Sequence, residues 1–197
     1  TWPGHRPFKA PDHRDAVAET WGVTAADLPA DPGPGPVGVV NALRDGLVDA
    51  CWTVATNPVA GMPDVSVVQA ALKDTFLVVQ DAFRTETADL ADIVLPAATW
   101  GESEGTVTNM ERTVSRVRAA TAPPGAARQD INIIAQIANR MELSLFEHTT
   151  PDPEAVFTEL TALTAGTSAD LSGITYERLD TEGAVRWPAP DGETQGG

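Results

Sequence analysis

Apolar runs and helix-like repeats alternate along the middle of this chain. Continuous apolar runs, which are typical of strands buried on both faces, occupy residues 49–55, 76–79 and 92–95. Before, between and after these runs, apolar residues recur at helical spacing over 37–45, 65–73, 86–90 and 130–141. Because strands that alternate with helices favour an α/β fold, the pattern predicts a Rossmann-like parallel sheet with helices on both faces and irregular peripheral flanks.

Proline and glycine mark the border of the predicted sheet region. Residues 31–36 contain three prolines and two glycines, and this run favours neither a helix nor a central strand because proline fixes φ and lacks an N–H donor. We predict four segments: a linker with a short helix (1–36), the Rossmann-like cofactor domain (37–148), a peripheral helix and loop (149–188), and a disordered tail (189–197).

Polar residues follow each predicted strand. Asn57 follows the first strand, Gln80 and Asp81 follow the second, and an irregular polar loop is predicted after the third, at 97–128. In open α/β sheets, ligands bind outside the carboxyl ends of the strands, and a carboxylate there can accept the paired N–H donors of a purine edge. Such residues are also common in turns that bind nothing, so spacing alone leaves both interpretations open.

The chain is strongly acidic. Its 197 residues include 13 Lys and Arg against 28 Asp and Glu, which gives a formal net charge of −15. This charge argues against binding to nucleic acid or to an anionic membrane, and no apolar run is long enough for a transmembrane helix. Nearly all the basic residues are arginine, which favours a halophilic protein over an ordinary acidic protein from a GC-rich genome.

Elements of a self-contained catalytic or metal site are absent from the sequence. The single cysteine, Cys51, excludes an internal disulfide and a cysteine-held cluster, and we interpret it as a core residue of a cytoplasmic protein. The three histidines lack ligand spacing, and neither a nucleophile elbow nor a phosphate loop occurs. We therefore predict no metal ligand and no catalytic residue. The missing initial Met suggests a processed chain or part of a longer one.

One long motif is far more specific than these patterns. It comprises TETA at 85–88, ADIVLPAA at 91–98 and WGESEGTVTNMER at 100–112. The motif closely resembles the molybdopterin oxidoreductase family, whose members carry a molybdenum bis(molybdopterin guanine dinucleotide) cofactor, Mo-bis-MGD. The turn TNP at 56–58 and the sequence PGAARQD at 124–130 resemble further family motifs, and the similarity covers roughly residues 4–188.

Within this family, residues 13–23 and 172–188 resemble assimilatory nitrate reductase catalytic subunits. Periplasmic nitrate reductases and formate dehydrogenase α subunits share the central motif and are the alternative. The family resemblance implies a longer protein, with a 4Fe-4S cluster in an amino-terminal region, then a region that supplies the molybdenum ligand, and a carboxy-terminal barrel. No part of the chain matches these regions, so we expect a fragment that contains the Rossmann-like cofactor domain and its flanks.

The resemblance implies cofactor contacts at five positions of this sequence: Asn57, Gln80, Asp81, Ser103 and Asp130. Asn57 matches a turn residue, Gln80 and Asp81 match a strand-end pair beside the nucleotide, and Asp130 matches an aspartate that precedes a helix. A plain N-cap is the other interpretation of Asp130, and both roles could hold together. Ser103 stands where relatives commonly have lysine, so the ammonium group of that lysine is missing here.

The resemblance thus implies the cofactor-binding part of an enzyme that reduces nitrate to nitrite by two-electron oxygen-atom transfer in nitrate assimilation. Its implied partners are the remaining domains or subunit of the same oxidoreductase and an electron donor such as ferredoxin or a flavoprotein. A stand-alone module that holds the dinucleotide, and a non-functional remnant of an interrupted gene, are the alternatives.

Overall fold

A computed structural model describes residues 1–143, 145–146 and 148–192. These described residues form seven α-helices, at Pro11–Trp21 (α1), Gly35–Arg44 (α2), Pro58–Gly61 (α3), Val65–Lys73 (α4), Asp130–Arg140 (α5), Pro153–Thr164 (α6) and Tyr176–Thr181 (α7). Within the same described part of the chain, six strands lie at Ala50–Val54 (β1), Phe76–Asp81 (β2), Ile93–Pro96 (β3), Gly105–Thr108 (β4), Thr113–Val117 (β5) and Val185–Arg186 (β6). None of the helices formed by these described residues is both long and apolar enough to cross a membrane.

The chain divides into two compact units. The first unit comprises residues 1–32, 104–118 and those from 152 onward, and the second comprises residues 33–103 and 119–151. The segment 104–118, which lies inside the predicted range 37–148, therefore groups with the first unit.

A three-stranded parallel sheet forms the centre of the second unit. Its strand order is β1-β2-β3, so β2 is the central strand. In the register, Thr53 pairs with Val79 of β2, which in turn pairs with Val94 of β3. Helices flank this sheet, which confirms the predicted α/β class with a parallel sheet.

The apolar face of the central strand forms the core of the second unit. Leu77 and Val79 are both fully buried. Their side chains lie on the same face of the sheet, because alternate residues of a strand point to the same side. Helices α2 and α4 cover this face with the apolar stripes expected from their spacing, which include Val40, Leu43 and Leu72. Asp64 caps α4, since its carboxylate accepts from the backbone N–H of Val67 at 3.4 Å.

The opposite face of the sheet is more open. Trp52 and Val54 of β1 are each 40% exposed, and Ile93 of β3 is 44% exposed. Helix α5 is linked to this face near the end of β2, through a hydrogen bond between Asp130 and Gln80. The prediction of continuous strands with both faces fully buried is therefore too strong, although helices do lie on both sides.

A second sheet, which the sequence did not predict, lies in the first unit. Strands β4 and β5 pair antiparallel, and β6 pairs with β5. The predicted irregular loop at 97–128 is wrong over this part, because Thr and Val alternate there and are good strand formers. The turn of the hairpin is held by Asn109, whose side-chain oxygen accepts from the backbone N–H groups of Glu111 and Thr113, both at 2.9 Å.

The core of the first unit forms around this second sheet. Val114 of β5 is fully buried and belongs to a cluster with Phe157 of α6 and Ile174. The guanidinium of Arg116 lies 3.5 Å from the ring centroid of Tyr176. Ala189 is also fully buried here, so ordered chain extends into the range 189–197 that was predicted as a disordered tail. Residues 193–197 of that predicted tail lie outside the described residues.

Gly173 of the first unit lies against neighbouring backbone, which predicts that Gly173→Ala destabilises the protein. A Cβ at this position would lie 2.5 Å from the carbonyl oxygen of Pro190 and 2.8 Å from that of Ala189. Because backbone must shift to relieve this overlap, we expect a loss of about 2 kcal/mol in the free energy of unfolding, measured by urea denaturation. Gly101→Ala is the matched control, since a Cβ at Gly101 would meet nothing within 4 Å. Equal stability of the two variants would contradict this packing.

Candidate functional site

The carboxyl ends of the three parallel strands lie at one edge of the sheet. β1 ends at Val54, which pairs with Gln80, and β3 ends at Pro96, which pairs with Asp81. The turns beyond both strands bond to the same two residues of β2: Ala55 donates its N–H to the carbonyl of Gln80 at 2.9 Å, and Ala97 donates to that of Asp81 at 3.0 Å. The last two residues of β2 therefore form the middle of this edge.

A partly buried hydrogen bond joins two of the predicted site residues. Gln80 is 0% exposed, and its side-chain Nε2 donates to Oδ1 of Asp130 at 2.6 Å. Asp130 is the first residue of α5, whose N-cap position is Gln129, so the alternative that Asp130 caps this helix is wrong. The Oε1 atom of Gln80 is buried and has no hydrogen-bond partner among the described residues. The structure thus offers one unused acceptor at the edge of the sheet.

Asn57 lies in a second polar cluster after β1. Its Nδ2 donates to Glu86 at 2.7 Å, and its Oδ1 accepts from the hydroxyl of Thr87 at 2.7 Å. The same hydroxyl of Thr87 accepts from the backbone N–H of Val59 at 3.2 Å. The hydrogen bond from Asn57 lowers the pKa of the Glu86 carboxyl below its usual value. Two residues of the TETA motif therefore hold the Asn57 side chain in place.

The structure does not connect Asp81 or Ser103 to these clusters. Successive residues of a strand point to opposite faces, so the side chains of Gln80 and Asp81 leave β2 in opposite directions. The Asp81 carboxylate accepts from the backbone N–H of Phe83 at 2.9 Å, as in a common turn. The hydroxyl of Ser103 donates to the carbonyl of Thr99 at 2.9 Å. Both side chains thus have local partners and contact neither Asn57 nor Asp130 through a hydrogen bond that the structure describes.

Glu86 and Thr87 are site residues that the sequence reasoning did not select. They belong to the family motif, but no side-chain role was predicted for them. Thr87 is fully buried, which is unusual for a polar residue and is explained by its two hydrogen bonds. The motif itself was the signal that could have found them, because a threonine in a polar turn can hold a neighbouring segment through its hydroxyl.

A cleft of about 300 Å³ opens between β3 and α5, next to this edge. An apolar floor and two arginines line it, with the residues Leu95, Pro96, Ala126, Arg128, Ile133, Gln136, Ile137 and Arg140. Arg128 donates to the side-chain oxygen of Gln136 at 2.6 Å, and Arg140 donates to its carbonyl at 3.3 Å. Guanidinium groups in this position can hold an anionic group such as a phosphate.

The single cysteine is not part of this site. Cys51 packs against the core cluster of the second unit, and burial raises the pKa of its thiol. A raised thiol pKa reduces the reactive thiolate at neutral pH, which agrees with the interpretation of Cys51 as a core residue. Among the described residues, no three side chains of the His, Cys, Asp and Glu types are grouped to hold a metal ion.

The chain, including this edge of the sheet, is similar in sequence to known proteins. The family model described as molybdopterin oxidoreductase matches residues 13–140, a range that includes all five predicted site residues. The assimilatory nitrate reductase of Haloferax mediterranei is 58% identical over 197 residues, which is 100% of this chain and 27% of that relative. The F420-dependent formate dehydrogenase subunit alpha of Methanocaldococcus jannaschii is 44% identical over 142 residues, 71% of this chain and 20% of that relative.

A solved structure shares the fold at lower sequence similarity. The acetylene hydratase from Pelobacter acetylenicus superposes with a TM-score of 0.63 and 23% identity, over 95% of this chain and 26% of that protein. All three proteins are much longer than this chain, which spans about a quarter of their length or less.

Proposed function

Because this chain belongs to the molybdopterin oxidoreductase family, we propose that it binds the guanine dinucleotide end of a molybdopterin cofactor, as part of a larger oxidoreductase. The observation that carries the proposal is the buried, unpartnered acceptor of Gln80 at the carboxyl edge of the parallel sheet. A buried acceptor without a partner is costly, and a bound nucleotide with N–H donors would satisfy it.

The residues at this edge of the sheet fit the guanine dinucleotide end of the cofactor. Gln80 offers its free oxygen, and Asp81 and Asn57 retain further acceptor capacity beside the ends of β2 and β1. The two arginines of the cleft between β3 and α5 would hold the negatively charged pyrophosphate of the same molecule. This arrangement agrees with the general location of nucleotides in open α/β folds, outside the carboxyl ends of the strands.

We propose nitrate reduction to nitrite as the reaction of the whole protein, with the cofactor in the Mo-bis-MGD form. The 58% identity to an assimilatory nitrate reductase over the full chain supports nitrate over formate, although a formate dehydrogenase subunit is 44% identical over a shorter range. When bound, the cofactor supplies the two-electron oxygen-atom transfer chemistry. The residues of this chain bind and orient the nucleotide tail, and none of them is proposed as a metal ligand or a catalytic acid or base.

We propose that the other domains of the same oxidoreductase, including one with a 4Fe-4S cluster, complete the site, and that ferredoxin or a flavoprotein supplies electrons in the cytoplasm. The net charge of −15 supports operation in concentrated salt, where screening reduces repulsion between the carboxylates. A stand-alone dinucleotide-binding module is the second candidate, because both polar clusters lie within one compact unit.

Cofactor retention tests the proposal. The 197 residues would replace the matching segment of the Haloferax relative, and the chimaera and the isolated chain would be assayed for molybdenum and for pterin fluorescence. We expect retention by the chimaera, and an Asp81→Ala change should lower the affinity by about tenfold because a carboxylate contact is lost. Asp74→Ala, at an exposed position of the same unit, is the control.

The outcomes separate the candidates. Retention by the isolated chain as well would support the stand-alone module. Cofactor in neither protein would contradict both candidates and favour a non-functional remnant. Full retention in the Asp81→Ala chimaera would remove Asp81 from the site while the proposal for the sheet edge stands.

A further inference from the structure

One side of the parallel sheet carries a continuous apolar surface that is open to water. In the register, Trp52 of β1 pairs with Val78 of β2, which pairs with Ile93 of β3, so these three side chains form a row across the sheet. Phe76, two residues before Val78 and on the same side, is 51% exposed. We call the surface formed by Trp52, Val54, Phe76, Val78 and Ile93 the open face.

Every described strand residue on this side of the parallel sheet is uncharged. By strand alternation these residues are Ala50, Trp52, Val54, Phe76, Val78, Gln80, Ile93 and Leu95. The chain as a whole contains 28 Asp and Glu and has a net charge of −15, so a patch without carboxylates is unusual on its surface. A contiguous exposed apolar patch marks an interaction site, since its exposure to water is unfavourable.

Helix α5 lies near the carboxyl end of this side of the sheet. Its first residue, Asp130, is bonded to Gln80 at 2.6 Å. Farther along α5, the cleft of about 300 Å³ lies between Leu95 of β3 and the side chains of Ile133 and Ile137. On the other side of the sheet, α2 and α4 both pack into the core cluster. Within the described part of the chain, the open face thus has no second helix, although parallel sheets normally have both faces covered by helices.

We propose that the open face is the interface for an amphipathic helix from another part of the same oxidoreductase polypeptide. This inference rests on the proposed function, in which the chain is part of a larger protein. The Haloferax relative matches this whole chain with only 27% of its length, so about three quarters of such a protein could supply the helix. Strands β1 and β2 have five and six residues, and a helix of about 12 residues would span that length.

The charge of the chain favours this helix over a second copy as the occupant. Two copies joined at their open faces would bring together two molecules that each carry a net charge of −15. A helix with apolar residues at a spacing of three and four would bury the open face and present its own polar side to water. Because Trp52 and Phe76 are bulky, small or aliphatic residues in the helix would fit between them.

Photocrosslinking identifies the occupant of the open face. Trp52→p-benzoylphenylalanine would be introduced into the chimaera that carries the 197 residues within the Haloferax relative, and crosslinked peptides would be located by mass spectrometry. We expect crosslinks within one polypeptide, to a segment outside the 197 residues in which apolar residues recur at helical spacing. The control is Leu47→p-benzoylphenylalanine, at a 77% exposed position away from the open face, which should not crosslink to that segment.

A charge on the open face should act mainly in the longer protein. Ile93→Asp places a carboxylate where water can reach it in the isolated chain, whereas the proposed helix would enclose it in the chimaera. We expect the thermal midpoint to fall by about 5 °C or more in the chimaera and by about 2 °C or less in the isolated chain. Leu47→Asp is the matched control, and it should change the midpoint of either protein by no more than about 2 °C.

The outcomes separate this inference from the proposed function. Crosslinks between two copies, crosslinks confined to the 197 residues, or a crosslinked segment without helical spacing would contradict the inference. An equal loss from Ile93→Asp in the chimaera and in the isolated chain would also overturn it. Neither measurement needs bound cofactor. Absence of cofactor from the unaltered chimaera would therefore count against the proposed function alone, whereas retained cofactor without a crosslink beyond the 197 residues would overturn the inference alone.

Discussion

Replacement of Leu77 by alanine should lower the free energy of unfolding by about 3–4 kcal/mol. Leu77 is fully buried in β2, the central strand of the parallel sheet, and it packs in the core cluster of the second unit. Truncation removes buried apolar surface and leaves a cavity that the strand, held on both sides by neighbouring strands, cannot collapse to fill. Urea denaturation followed by far-UV circular dichroism measures the loss as a lower midpoint at constant slope.

Leu47→Ala provides the comparison for this result. Leu47 is 77% exposed, so its truncation should change the free energy of unfolding by no more than about 0.5 kcal/mol. Similar losses in the two variants would show that Leu77 is not in a packed core, and the assignment of β2 as the central buried strand would fail.

Asp170→Ala should cost about 3 kcal/mol, the second largest effect that we expect. The carboxylate of Asp170 is buried in the first unit and accepts three hydrogen bonds, from the backbone N–H of Gly166 at 2.7 Å, from the backbone N–H of Ser172 at 2.9 Å, and from the hydroxyl of Ser172 at 2.6 Å. Alanine leaves these donors without a partner at a largely buried position, which costs more than the loss of one average hydrogen bond.

The stability supplied by Asp170 should also depend on pH. Burial by itself raises the pKa of this carboxyl, but the hydrogen bonds from Ser172 and Gly166 together lower it below the usual value. Because the carboxyl is more acidic in the folded state than in the unfolded state, its contribution is complete above the unfolded pKa of about 4 and is lost as the pH falls through the folded pKa. Asp170→Asn should therefore remove part of the decline in stability that occurs as the pH falls below about 4.

Denaturation series at several pH values check this expectation. The control is Asp31→Asn, because the Asp31 side chain is 72% exposed and its only described ion pair, with Lys9 at 3.5 Å, lies at the surface. That variant should follow the unaltered chain at every pH. A stability of Asp170→Ala equal to that of Asp31→Asn would contradict the buried hydrogen-bond network.

Much of the second unit follows from local sequence. The helix over Val65–Lys73 and its Asp64 cap, and the three apolar strand segments, are recognisable because hydrophobic periodicity and capping residues act within a few positions. The exact end of β2 was not recognised. Gln80 and Asp81 are polar and were predicted to stop the strand, yet both continue the ladder because their backbone groups pair with neighbouring strands.

The first unit was harder to predict from local sequence. Its strands β4 and β5 are rich in threonine and polar residues, and this polar composition favours a loop when it is taken without the partner strands. The partner that completes this sheet, β6, lies almost 70 residues farther along the chain. Local propensity was present, but the pairing that makes strands of these segments depends on contacts that no local pattern encodes.

The order of residues was enough to identify the family, the α/β class and the polar residues at the ends of the strands, because motifs and hydrophobic periods are local properties of the chain. Only the tertiary structure shows which of those polar residues are in contact with one another. Asp130 reaches Gln80 and leaves it one free acceptor, Asn57 is held by Glu86 and Thr87, and Asp81 turns to the opposite face from its neighbour. Hydrogen-bond direction and strand alternation set these relations, and both require the folded arrangement of distant segments.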